Sequence, residues 1–355
     1  LTGAVEGGRA VATWSPAIRQ YGWYRISLQV FDSRGRQIGG QSINVIYGPP
    51  HPPRERVGHR AFGLIATHLQ PPLARILPDI AARSGTGWVE VPAWGGRQAA
   101  PVDAGQAGEL LGNTLEDLRR ARLDPVVSLT EAPIQFRDAL ADPSDILRGL
   151  ASSRGAIGPT LELLLAEHGQ RVGRWRLNAT GADTLFSDPA IADELEGMRS
   201  WFARLVPTPD LEMPWRTDLP SPAALLARGV SVQALHTGSA ESLEVLGRAW
   251  GLGTYGTPGD IERFAATNLS LAWPTSPGSG FPRADAAELV RAAVLVWGSF
   301  GPHASRVSSH ARFAIIDPWR PVGSSEKTYA PTVHLAAWRT VIDQLAGSEV
   351  AAEVD

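Results

Sequence analysis

Nine residues able to do chemistry stand at comparable places along the chain: His68, Trp94, Glu131, Asn178, Trp215, His236, Trp273, Asp317 and Trp319. Each ends or closely follows a short aliphatic run. Four of the chain's 12 tryptophans are among them, with two histidines, two carboxylates and an amide. Indoles bury large apolar area yet keep an N–H to donate, and a few polar groups between them orient a ligand. Sugar rings present the complement, apolar C–H faces edged with hydroxyls. The expected ligand is a polysaccharide or oligosaccharide. A plainer reading stands beside it: tryptophans that pack the rim, histidines satisfied locally, and Asp317-Pro318-Trp319 as a turn. No third histidine or carboxylate lies at metal spacing, so no metal is expected.

Those residues need a scaffold that brings strand ends to one place. Strands are predicted at 62–68, 88–94, 126–131, 174–178, 211–215, 232–236, 269–273 and 313–317. Helices are predicted between them at 73–83, 115–123, 157–167, 191–205, 223–228, 240–249 and 284–297, and after the last at 331–345. Ile191, Leu195, Met198, Phe202 and Leu205 share one face of the fourth. Eight strand–helix pairs predict an α/β fold, a (β/α)8 TIM barrel over residues 58–347, whose site lies at the C-terminal strand ends. A dinucleotide-binding sheet would need a glycine fingerprint after its first strand, where His68-Leu69-Gln70-Pro71-Pro72 stands instead. No cofactor is expected.

Ahead of the barrel, residues 21–30 and 41–47 alternate polar and apolar positions around a turn at Asp32–Arg36. Residues 1–48 read as the C-terminal part of a β-sandwich that ends in this hairpin, 49–57 as a Pro-rich linker and 348–355 as a tail. Two strands are not stable alone in water. The chain opens at Leu1, inside what reads as the tail of a domain. A missing upstream segment or a protein partner is therefore expected to complete the sheet.

Bulk properties narrow the partners. The 355 residues include 43% hydrophobic and 19% charged, with a net charge of -3 and no basic block. Nucleic acid is not an expected partner. Lys327 is the only lysine, with arginine carrying the remaining basic charge. Cysteine is absent, which excludes disulfides and thiolate chemistry. No apolar run approaches the ~20 residues of a membrane span.

The order of sandwich, Pro-rich linker and barrel resembles the clan of retaining glycoside hydrolases, particularly its β-xylosidase-like families. So do the fourth strand Arg174-Trp175-Arg176-Leu177-Asn178 and the closing Ala336-Ala337-Trp338-Arg339. The resemblance covers nearly the whole chain in architecture, rests on few residues in sequence, and implies an extracellular or cell-surface setting. In that clan the fourth strand ends in Asn-Glu and the seventh in a nucleophilic Glu. Here Ala179 follows Asn178, and the seventh strand reads Leu269-Ser270-Leu271-Ala272-Trp273-Pro274. Retaining hydrolysis needs two carboxyls about 5 Å apart, and an inverting pair stands about 6.5–9.5 Å apart. Glu131, Asp183 and Asp317 are the candidates for displaced catalytic carboxylates. Three functions follow: a glycan-binding barrel that has lost retaining catalysis, an active glycoside hydrolase with displaced carboxylates, or a structural module of a larger complex.

Overall fold

A computed structural model describes residues 2–6, 9–13, 15–20, 22–47, 59–94, 104–130, 132–133, 136, 145–152, 154–177, 190–216, 231–235, 269–274, 282–299, 312–322 and 328–346. The chain divides into two compact units, Leu1–Pro50 and His51–Asp355.

The first unit holds two separate antiparallel pairs among its described residues, β1 (Thr2–Glu6) with β2 (Arg9–Thr13) and β3 (Gly22–Phe31) with β4 (Gln37–Tyr47). The turn between β3 and β4 is built by Asp32. Its carboxylate accepts the backbone N–H of Arg34 and of Arg36, both at 2.9 Å. Gly35 supplies the left-handed φ of +77°. The β3–β4 pair is the hairpin expected over residues 21–47. Each pair is two-stranded.

The second unit is a closed parallel barrel of eight strands: β5 (Phe62–Ile65), β6 (Trp88–Pro92), β7 (Asp124–Leu129), β8 (Arg174–Leu177), β9 (Asp210–Arg216), β10 (Ser231–Leu235), β11 (Leu269–Pro274) and β12 (Arg312–Ile316). Each pairs in parallel with its sequence neighbour, and β12 closes on β5 through Phe313↔Phe62 to Ile316↔Ile65. All eight predicted strands form, and most stop one to three residues before the end expected. His68, Trp94 and Asp317 consequently lie in the loops beyond the strands, where barrel sites are built.

The described helices are α1 (Pro71–Ser84), α2 (Ala104–Arg120), α3 (Ile146–Ser152), α4 (Arg154–His168), α5 (Ile191–Phe202), α6 (Pro282–Ser299) and α7 (Val333–Leu345). Two prolines at the start of α1 sacrifice only N–H groups that lack helical partners, and Gly85 ends it at φ +83°. Helix α2 starts eleven residues before the predicted Leu115, and α3 was not expected at all. The predicted helices at 223–228 and 240–249 lie outside the described residues. An antiparallel pair, β13 (Trp319–Pro321) with β14 (Tyr329–Pro331), occupies the connection from β12 to α7.

Aromatic rings seal the wall between β5, β11, β12 and the last two described helices. Phe62 stacks on Trp297 at 5.4 Å and meets Trp338 edge-on at 5.6 Å. Trp338 also donates its indole N–H to the Gly63 carbonyl at 3.1 Å.

Candidate functional site

Side chains alternate between lumen and wall along each strand. Glu90, Arg176 and Gln233 come from β6, β8 and β10, which are not neighbours, and they touch one another across the lumen. Arg176 Nη2 lies 2.5 Å from Glu90 Oε1, and Gln233 Nε2 donates to Glu90 Oε2 at 2.9 Å. Arg176 Nη1 donates to Gln233 Oε1, closing a triangle of buried groups. Glu212 pairs in register with Arg176 and so faces inward too.

Two residues earlier on those strands lies a second polar layer at the N-terminal end. Arg174 bonds Asp210 at 2.7 Å, and Ser231 donates to the same carboxylate. Arg312 sits 5.3 Å above the Trp88 ring, a cation–π contact. Burial and the neighbouring Arg174 push the Arg312 guanidinium down to about 10, while Glu212, Asp210 and Asp124 draw it back up. Trp88 forms the floor because Gly63 makes room. A Cβ on Gly63 would lie 2.1 Å from the indole. A barrel lumen usually fills with branched apolar side chains. Here two of its layers are charged.

At the mouth, the exits of β5 and β12 are bound together. Asp317 N–H donates to the Ile65 carbonyl at 2.9 Å. Its carboxylate accepts the Thr67 backbone N–H at 3.0 Å and the Thr67 hydroxyl. Asp317 takes φ +47°, a left-handed backbone that Asp tolerates better than most residues. Asp317 thus ties its own exit from β12 to the end of β5 and the bend that follows it. Burial raises the Asp317 carboxyl above the ordinary carboxylate range, against the pull of the Thr67 hydrogen bonds and of His68. His68 Nδ1 stands 3.9 Å from Asp317 Oδ1, and Nε2 stands 3.3 Å from the Tyr329 hydroxyl. Tyr329 in turn donates to Gln70 Oε1 at 3.4 Å. A line of groups thus runs Gln70, Tyr329, His68, Asp317, Thr67.

The remaining expected residues scatter. Trp94 is half-buried in the turn after β6. Trp319 opens β13, buried, its indole N–H without a hydrogen-bond partner. Trp215 has parity opposite to the inward Glu212 and is 1% exposed, so it packs in the outer wall. Trp273 belongs to the outer aromatic layer, 5.9 Å from Trp338 and 6.4 Å from Phe313. The structure brings His68 and Asp317 together and does not place Trp215 or Trp273 at the mouth with them. Glu131, Asn178, Asp183 and His236 lie outside the described residues. Thr67, Gln70 and Tyr329 were not anticipated, nor was the Glu90–Arg176–Gln233 triangle. The triangle did leave a signal: a lone Glu90 inside the otherwise apolar β6, and polar residues two apart in β8 and β10. Among the described residues no group of three metal-ligating side chains comes together.

No family model and no curated protein matches the chain. Solved structures do. A family 39 glycoside hydrolase from the gut symbiont Bacteroides cellulosilyticus is similar over 94% of this chain and 72% of its own, with TM-score 0.55 at 14% identity. The endo-1,4-β-D-mannanase of Thermotoga petrophila matches over 80% and 99%, with TM-score 0.52 at 12% identity. The family 1 β-glucosidase of Thermotoga maritima matches over 78% and 88%, with TM-score 0.51 at 10% identity. The fold is that of a glycoside-hydrolase-like (β/α)8 barrel.

Proposed function

We propose that this chain binds a polysaccharide or oligosaccharide at the C-terminal mouth of its barrel without the retaining carboxylate pair of the glycoside hydrolases it resembles. The observation that carries this is the linked set His68, Asp317, Thr67 and Tyr329 at the exits of β5 and β12. It is polar, largely buried and placed where barrels of this fold hold their ligands. The described end of β11, Leu269–Pro274, carries no carboxylate to act as nucleophile. An extracellular or cell-surface assembly, with a protein partner or further sequence beside the N-terminal strands, belongs to the same reading.

One observation favours a second reading, an active glycoside hydrolase. Asp317 is raised above the ordinary carboxylate range and can hold a proton closer to neutrality, as a general acid must. Glu131 or Asp183 would supply the second carboxylate.

Calorimetric titration with mannohexaose, xylohexaose and cellohexaose, with reducing ends assayed in parallel, separates the readings. Binding without new reducing ends is the expected result. Reducing ends that appear with wild type and vanish with Asp317→Asn or Glu131→Gln would establish the hydrolase. No binding to any glycan in a broad panel would overturn both and favour a structural module.

A further inference from the structure

We infer that Gln70 contacts the ligand at the mouth, its side-chain NH2 donating to an oxygen of the bound sugar, a deepening that rests on the glycan-binding reading above. Gln70 follows β5 and stands at the N-cap of α1, on the side of the barrel where the strands end.

An N-cap side chain ordinarily turns back to accept the second or third N–H of its helix. Here the helix begins with Pro71 and Pro72, which have no N–H, and the Gln70 side chain makes no cap bond. Only its backbone carbonyl serves the helix, accepting Ala74 N–H at 2.8 Å. The prolines release the side chain from capping. They also strip the helix end of two donors that an N-terminus would otherwise offer a ligand, and the Gln70 amide stands in their place.

One end of that amide is engaged and the other is open. Tyr329, on β14, donates its hydroxyl to Gln70 Oε1 at 3.4 Å. A phenol has one hydrogen, so its oxygen accepts from His68 Nε2, 3.3 Å away. Donation therefore runs outward from His68 to Tyr329 to Gln70 and ends on the two N–H groups of Nε2. That nitrogen makes no hydrogen bond among the described residues and is not closed off from solvent, on a side chain that is half-buried. His68 and Tyr329 act behind it as positioning residues. An oriented donor reached by solvent suits a sugar hydroxyl or ring oxygen, which accepts in place of water.

The test divides the amide into its two ends. Gln70→Glu keeps an oxygen for the Tyr329 hydroxyl and replaces the outward NH2 with a second oxygen. Gln70→Met keeps the length and removes both ends. Tyr329→Phe keeps the amide and removes the group that orients it. Each is titrated with mannohexaose, xylohexaose and cellohexaose by calorimetry, with thermal unfolding recorded alongside. The expected result is a loss of about tenfold or more in affinity for both Gln70 variants and a smaller loss for Tyr329→Phe. Equal affinity of Gln70→Met and wild type overturns the contact and leaves mouth binding intact. Equal affinity of Gln70→Glu and wild type, with Gln70→Met weakened, also overturns the donor role and turns the amide oxygen toward the ligand. Failure of wild type to bind any of a broad glycan panel overturns this inference together with the reading beneath it. If a variant unfolds, the side-chain NH2 resonances of wild-type Gln70 decide. Saturation with the bound oligosaccharide should shift them, and an unmoved pair overturns the contact.

Discussion

Asp317 accepts the backbone N–H of Thr67 at 3.0 Å across 250 positions of sequence, and so pins the exit of the last barrel strand to the exit of the first. The seam where the barrel closes also holds a carboxyl that burial raises.

Asp317 should make stability fall with rising pH. Its folded pKa is raised, so its favourable contribution is complete below the unfolded value, near pH 4, and is lost as pH rises through the folded value. Asp317→Asn cannot ionise, tolerates the same left-handed backbone and can keep both Thr67 contacts. Thermal unfolding from about pH 4 to 8 should show the variant gaining on wild type as pH rises. A constant difference would assign the burial no role.

His168 should act in the opposite direction. Its ring is fully buried at the end of α4, and burial lowers its pKa in spite of Glu167. A histidine held neutral in the fold destabilises as pH falls below its unfolded value, about 6.5. His168→Gln should flatten the acid side of the profile, read as melting temperature between about pH 7 and 5.

Breaking the lumen triangle from one side should be costly. Glu90→Ala leaves Arg176 as an unpaired buried charge, a loss of about 3–5 kcal/mol in urea unfolding. The double variant Glu90→Leu, Arg176→Met should recover much of that loss, because the charge leaves with its partner. A double variant worse than either single one would mean the triangle does more than cancel its own burial.

Gly63→Ala should destabilise by about 1–3 kcal/mol or more, since the new Cβ meets the Trp88 ring 2.1 Å away. Pairing it with Trp88→Val should return part of the loss, measured by the same unfolding transition.

Trp215 and Trp94 should separate in their effects. Trp215→Ala opens a cavity in the outer wall and costs about 3–5 kcal/mol of stability. Trp94→Ala, at a half-buried turn position, should leave the melting temperature within a few degrees and weaken oligosaccharide binding instead.

The barrel was legible because its strands are short aliphatic runs spaced by amphipathic helices, and all eight appear within a few residues of where the pattern puts them. The site was legible only where position along the chain implied position in space. His68 and Asp317 qualified, as residues just past strands that turn out to be neighbours. Trp215 and Trp273 did not separate from them, because a strand's last residues face lumen or wall by parity, and a one-residue shift in where the strand ends reverses the reading. Thr67 was hidden behind His68, and Tyr329 belongs to a small hairpin too short to register as a pattern. Helix α3 follows a stretch with no clear apolar period, and the polar residues of the lumen run against the usual apolar filling.

The lumen triangle has a consequence for assembly. Its three members come from strands separated by 57 and 143 positions, so no contiguous half of the barrel contains them all. A polypeptide cut between β8 and β9 would carry Glu90 and Arg176 in one piece and Gln233 in the other. A slip of one residue in β8 would turn Arg176 out of the lumen altogether. The three side chains therefore work as a registration key. They allow only the closed, in-register cylinder to bury its charges fully matched, and deny that state to open or slipped intermediates.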